Sequence, residues 1–516
     1  MNKIMDNPET QHPFLNPNSS TKNESIKENG TVPVNKRKPT NVGFLVLFGI
    51  TVAIWLSLNF YCIHYGDLSR LNTKSAKEIS GFFEEFAMNI KNSFGEICLA
   101  CSSAVLSSIL MIVLFRYFAS TIIWFSVGLV LTVLTIGTLS TWVRYGIGDS
   151  KPTTYDPLFD VFVFTMFTII IAVIIYFVVL QHIPMVNRLF EEGSKATQSI
   201  PSLLAQPFVT SVKLVFVIFL CLYFALWIES SRISETNANG DIIYRKNHIM
   251  VFASAYNFLV VWWIIQFLIS CQHMVIAGAT ATWYFSRDKT RINNTITISY
   301  KNLLKFHLGS VALGSLIMNI VQILRTCYRL CSQVRNTNVI GCLLTCCLED
   351  LVKFLNFVTR NTYIEIAIYG SRFYESGKRA AQVVTNNAIE VGTINSVCDF
   401  IMVLCRFAIA VLAYFIGRYF LLRGRSYKEI PGVVTVDDTI KSYYYPLIFI
   451  FVVSFTIAHA FMSALEMIVD SVFISFCEDS DMNDGGKRPY YMSENMMVFM
   501  NTDKLQSLKV GDAVVE

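Results

Sequence analysis

Three residues near the end of the last apolar stretch have the spacing for chemistry: His459, Glu466 and Asp470, at i, i+7 and i+11. At 100° per residue they lie within about 40° of one another on a helix that continues past Leu465. Histidine titrates nearest physiological pH, and chains of histidine and carboxylates build intramembrane proton relays. A duller account competes with it: both carboxylates sit in the solvated interface or pair with Arg and Lys of cytosolic loops, where they cost little. Asp399 and Arg406 form a second charged pair, on one face of the apolar run Ile394–Ile416. Either they are an intramembrane functional site or they pair with another helix. A third set is the stripe Tyr256, Trp263, Gln266, Ser270 and Met274 in the apolar stretch Tyr256–Phe285. Aromatic, amide, hydroxyl and thioether groups on one helix face suit a cavity, or ordinary helix packing.

Other chemistry is missing. The chain has no Walker loop, no GxSxG, no HExxH and no dinucleotide fingerprint, so no enzyme is expected. Cys327, Cys331, Cys342, Cys346 and Cys347 cluster, but without two CxxC pairs or a nearby histidine. Packing or reversible acylation suits them better than a metal, and neither metal nor cofactor is expected.

The elements that must position these residues are membrane helices. Of 516 residues, 53% are hydrophobic and only 15% charged, the balance of a polytopic membrane protein in a lipid bilayer. A net charge of +5 spread over loops and tails gives no nucleic-acid surface. The 13 cysteines lie mainly in or beside apolar spans, so no disulfide framework is expected. The expected fold class is all-α: a bundle of about ten spans with both termini cytosolic.

In order, residues 1–41 read as a disordered cytosolic tail, with Lys36, Arg37 and Lys38 marking the inside. Three sequons in it, at Asn18, Asn23 and Asn29, count only if the tail lies outside. Residues 42–478 read as the transmembrane domain and 479–516 as a cytosolic C-terminal tail. The first span is Val42–Tyr61. A polar loop over 66–94 follows, with an amphipathic helix around Ile79–Ile90. Gly95–Phe115 and Phe118–Val143 make a tight hairpin around Arg116-Tyr117, and Leu158–Leu180 spans next. The amphipathic segment 181–207, interrupted by Pro184, Pro201 and Pro207, is expected on the cytosolic surface. Phe208–Ile228, Ile249–Phe285, Phe306–Leu324, Ile394–Ile416 and Tyr444–Leu465 span again. Val339–Phe357, carrying Glu349, Asp350 and Lys353, either crosses or lies in the interface. Ten spans place the basic loop 418–442 outside, against the positive-inside rule. Ser310 and Gly314 form a small-xxx-small pair for close helix packing.

Several stretches together resemble the choline transporter-like proteins. They are FHLGSVALGSLI (Phe306–Ile317), CCLEDLVKFLN (Cys346–Asn356), NTYIEIAIYGSRF (Asn361–Phe373), and the run from His459 to Tyr491 that contains ALEMIVDSVFISFCEDSDMNDGGKRPYYMS. IPSLLAQP (Ile200–Pro207) is similar to the family too. The loop 66–94 is short where animal members carry a large glycosylated one, and NFVTRNTY holds extra residues where the family has a tighter run.

The resemblance implies a multi-pass plasma-membrane carrier for choline or a related small organic cation such as ethanolamine, with proton exchange as the coupling. A quaternary ammonium cannot donate a hydrogen bond and is held best by aromatic faces. On that footing Trp263, with Tyr256 or Gln266 beside it, is the expected wall of an ammonium cage. A non-transporting membrane scaffold or adhesion protein is the competing function class.

Overall fold

The computed structural model describes residues 37–67, 88–147, 157–174, 180–231, 233–236, 242–289, 294–334, 339–386, 388–426, 444–483, 488–493 and 496–497. Helices dominate it. The first, α1 (Val42–His64), is followed by the long α2 (Phe94–Ile147), α3 (Pro157–Ile174) and α4 (Leu180–Ser199). A 3-10 turn over Pro201–Ala205 leads into α5 (Gln206–Ser230). A short antiparallel hairpin follows, β1 (Ile233–Thr236) against β2 (Ile242–Arg245), a small departure from an all-α chain. Then come α6 (His248–Tyr284), α7 (Thr295–Asn302), a π turn over Leu303–His307, and α8 (Leu308–Val334). Next come α9 (Val339–Tyr369), α10 (Phe373–Asn386), α11 (Ala388–Ser426) and α12 (Tyr444–Met482).

Among the described residues, seven helical stretches are long and apolar enough to cross a membrane: Val42–His64, Phe94–Phe125, Pro201–Ser230, His248–Tyr284, Thr295–Arg329, Ile394–Leu422 and Tyr444–Met482. The other three spans read from the sequence fall on the second limb of α2, on α3 and on α9. In α9, Glu349, Asp350, Lys353 and Arg360 interrupt the apolar run. The lipid-facing side is plain on α5, where Val212, Val215, Phe216, Phe219 and Leu222 are exposed while Cys221, Phe224 and Ile228 are buried. Apolar side chains outside and mixed ones inside are what a hydrocarbon solvent selects.

Some boundaries differ from the sequence reading. The two helices expected on either side of Arg116-Tyr117 meet at a kink, where Phe118 is non-helical (φ −128°, ψ 22°). No glycine or proline stands there, and the kink is made by Phe118 leaving the helical conformation. The segment 181–207 is packed against the bundle. Phe190 stacks on Phe115 with centroids 4.5 Å apart, and Ser194 donates to the Ile112 carbonyl at 2.7 Å. Pro184 sits inside α4 and Pro201 opens the 3-10 turn, so two of its prolines mark elements where breaks had been expected. Residues 37–41, read as the end of a disordered tail, are docked, with Thr40 buried. The tail boundary at 479 falls inside α12, whose Asp479 is buried. Arg418, Arg423 and Arg425 belong to α11, which runs on to Ser426. The three sequons and nearly all of the helix expected around Ile79–Ile90 lie outside the described residues.

Candidate functional site

The interior of the bundle holds a charge network built by three helices. From α9, Arg360 Nη1 donates to Glu466 Oε1 on α12, and Arg360 Nη2 lies 3.5 Å from Asp470 Oδ2 one turn further on. From α11, Arg406 Nη2 donates to Glu466 Oε2 at 2.8 Å. Glu466 is thus gripped on both oxygens by two guanidiniums, each of the three side chains no more than 16% exposed. Asp399, two turns before Arg406 on α11, reaches the same Glu466 and also accepts from Asn395 Nδ2 at 3.4 Å. On α6, His273 lies within electrostatic reach of Arg360 and Glu466, and His459 on α12 within reach of Arg406 and Glu466.

Charges survive out of water only when paired. Here three carboxyl groups face two guanidiniums among the described residues, and Asp399 and Glu466, in hydrogen-bond contact with each other, must share a proton, so the network holds one carboxyl more than it has guanidiniums to pair. Asp470 Oδ2 and the Nε atoms of Arg360 and Arg406 are buried with no hydrogen-bond partner among those residues. The surplus carboxyl and the unfilled Asp470 oxygen suit a proton or an organic cation, whereas the two guanidinium Nε–H donors call for an acceptor such as a hydroxyl oxygen.

The aromatic stripe lies on the same helix. Trp263 is buried, donates its indole N–H to Ser315 Oγ of α8 at 3.1 Å, and meets Phe48 of α1 edge-on at 5.1 Å. Phe48 in turn stacks on Phe267 at 4.4 Å. Gln266 Nε2 and Trp262 Nε1 both donate to Gln322 Oε1 of α8, each at 2.9 Å. Tyr256 turns to α1 and donates to the Thr51 carbonyl at 3.2 Å. From Trp263 to His273 is about 15 Å along α6 at about 1.5 Å per residue. One helix therefore links the aromatic wall to the charge network.

Two straps close one end of this interior. Residues 37–41 wedge between the π turn and the end of α9. Arg37 donates Nη2 to the Ala367 carbonyl at 2.5 Å and Nη1 to the Ile366 carbonyl at 3.2 Å. The Ile366 carbonyl also accepts the Gly370 amide at 2.8 Å, and Gly370, in the left-handed region at φ 68°, lets the chain turn away from the helix end. Arg37 Nη1 also lies 3.2 Å from His307 Nε2, and Thr40 Oγ1 lies 3.1 Å from His307 Nδ1. Arginine only donates, so Nε2 accepts and the ring proton sits on Nδ1, aimed at Thr40. Burial pulls the Arg37 guanidinium down to about 10, which still leaves it charged at neutral pH. Gly309 makes the wedge fit: a Cβ there would stand 2.4 Å from the Asn41 carbonyl oxygen. The second strap follows α12. Asp479 Oδ2 accepts from the amides of Tyr491 at 2.8 Å and Met492 at 2.9 Å and from Tyr284 Oη at 3.2 Å. Arg287 donates to the Pro489 and Tyr490 carbonyls, both at 2.7 Å, and its guanidinium lies 3.6 Å from the Tyr491 ring centre. Lys289 sits 4.3 Å from the Trp283 ring centre, and burial lowers its ammonium.

Of the residues picked from sequence, Asp399, Arg406, Glu466 and Asp470 converge, with His459 on their margin. Arg406 pairs with α12, the helix-pairing alternative, and the cations that hold Glu466 and Asp470 come from helices, not loops. Trp263 and Gln266 both reach α8, whereas Tyr256 is engaged elsewhere. Arg360, His273 and Phe48 were not singled out. Arg360 stood in plain view as a lone arginine between Phe357-Val358 and Tyr363-Ile364, but the span had been ended at Phe357.

Among the described residues no group of His, Cys, Asp and Glu is arranged to hold a metal ion. The sequence profile of the plasma-membrane choline transporter family matches residues 162–481, which contain the whole charge network and Trp263. Choline transporter-like protein 1 of Caenorhabditis briggsae is 28% identical over 83% of this chain and 60% of its own length. That of Torpedo marmorata is 30% identical over 78% of this chain and 64% of its own. Choline transporter-like protein 4 of Xenopus laevis is 29% identical over 81% and 67%. The chain spans 60 and 64% of the length of the first two relatives. With the profile covering well over half of it, the chain belongs to the choline transporter-like family of multi-pass membrane proteins.

Proposed function

We propose that this protein is a secondary carrier moving choline, or a related amine such as ethanolamine, across the plasma membrane. The observation that carries the reading is the acidic surplus at Arg360, Arg406, Glu466, Asp470 and Asp399, buried in the bundle and linked by α6 to an aromatic wall. A quaternary ammonium needs aromatic faces and an ionisable carboxyl to balance it, and both are at hand. Trp263, with Phe48 and Gln266 nearby, is the substrate wall. His459, Glu466 and Asp470 are the proton-coupling stripe, in which substrate and proton compete for the one carboxyl that has no guanidinium of its own. Ten crossings, counting both limbs of α2, α3 and α9, put both termini in the cytosol. The two straps then close the cytosolic side.

Uptake of labelled choline by proteoliposomes holding the purified full chain tests this. Saturable uptake that an imposed pH gradient accelerates is expected. Liposomes that take up no more choline than protein-free controls would remove the carrier reading and leave a scaffold.

A further inference from the structure

A cleft at the bend of α2 belongs neither to the charge network nor to the aromatic wall. It encloses about 500 Å³ between α2 and the first half of α4, and Arg116, Tyr117, Ser120, Trp124, Asn187 and Arg188 line it. Its depth in the bilayer follows from helix geometry. From Phe94 to Arg116 the helix rises about 33 Å, against a hydrocarbon core of about 30 Å. Arg116 therefore stands where the apolar layer ends.

The rim and the floor of the cleft differ in kind. Tyr117, Phe118, Trp124 and Phe125 are 66, 54, 52 and 70% exposed on the α2 side, a surface for acyl chains flanked by interfacial aromatics. The floor offers two guanidiniums. Arg116 donates to Gln198, and Arg188 Nη1 donates to Glu191 Oε2 at 3.1 Å. Each guanidinium has five N–H donors, so both keep donors for another acceptor. Glu191, the carboxylate of this wall, is bridged by Lys195 Nζ at 2.9 Å as well as by Arg188, which offsets its charge. Asn187 Oδ1 is buried with no hydrogen-bond partner among the described residues. Its amide and the Ser120 hydroxyl add neutral hydrogen-bonding capacity beside the two cations.

We propose that this cleft binds the phosphate of an anionic phospholipid, with Arg116 and Arg188 clamping the headgroup and Tyr117 and Trp124 bordering the acyl chains. Arginine pairs match phosphate oxygens in fork geometry, and the apolar rim selects a phosphate that arrives on a lipid.

The test uses the full-length protein in nanodiscs containing a photoreactive phosphatidylglycerol. Label is expected on peptides covering residues 116–125 and 183–191, displaced by excess phosphatidylglycerol and spared by phosphatidylcholine. Arg116→Gln with Arg188→Gln should cut the labelling about tenfold or more. Label confined to other helices, or equal displacement by phosphatidylcholine, would overturn the proposal. Displacement by inorganic phosphate alone would also overturn it and assign the cleft to a soluble ion. If the double variant does not reach the membrane, the competition on the wild-type protein decides by itself.

Discussion

Replacing Arg360 with glutamine removes the guanidinium that bridges Glu466 and Asp470. Three carboxyl groups then face Arg406 alone, and Asp470 loses the cation 3.5 Å away. Breaking a buried pair from one side costs about 3–5 kcal/mol, because the remaining charge stays out of water. Glu466→Gln does the opposite: two carboxyl groups face two guanidiniums, and the surplus carboxyl is gone. Combining both substitutions leaves two carboxyl groups against one guanidinium, which restores the wild-type surplus of one. The double variant should therefore be more stable than the sum of the singles by about 1–3 kcal/mol. Denaturation midpoints of the four detergent-solubilised proteins measure this cycle. Choline uptake by the same four adds a second axis, since Glu466→Gln should fold yet transport poorly for want of the surplus carboxyl. Strict additivity, or Arg360→Gln as stable as the wild type, would show that these side chains do not act as one network.

Three other outcomes follow from the geometry. Trp263→Ala should weaken substrate binding by about 0.5–2 kcal/mol, several-fold to roughly thirtyfold in affinity, with Trp263→Phe milder; an unchanged half-saturation in uptake would place the cage elsewhere. His459→Gln should abolish acceleration by a pH gradient while leaving binding of labelled choline intact, and full coupling in that variant would remove His459 from the relay. Gly309→Val places a methine carbon 2.4 Å from the Asn41 carbonyl oxygen, a backbone atom that cannot swing aside. Such overpacking costs about 1–3 kcal/mol and should speed tryptic cleavage at Arg37 and Lys38, whereas Gly43→Ala, with nothing within 4 Å, should not.

The apolar spans and the charged positions on α11 and α12 were legible because periodicity is local: Glu466 and Asp470 share a face whatever surrounds them. Which cation would hold them was not legible. Arg360 is 106 residues from Glu466, and nothing local to either ties them together. Arg37 was read as a marker of orientation, and its grip on the end of α9 depends on contacts some 330 residues away. The break at Phe118 was legible although no glycine or proline announces it, because Arg116-Tyr117 interrupts the apolar run there. Trp263 and Gln266 both turn to α8, but the neighbour Phe48 comes from the first helix, and helix pairing is set by fit between surfaces that a single sequence does not display.

That distance along the chain has a consequence for biogenesis. Arg37 and Thr40 leave the ribosome early, yet their docking sites, the π turn and the Ile366 and Ala367 carbonyls, come about 270 and 330 residues later. At about 5–20 residues per second, the strap waits roughly 15–70 s for its seat. Throughout that interval the first helix is inserted but unlatched, and its basic flank stays open to chaperones and proteases. Closure of the strap is therefore a late assembly event that reports on a completed bundle, and chains that stall before residue 366 carry an N-terminus that quality control can still reach.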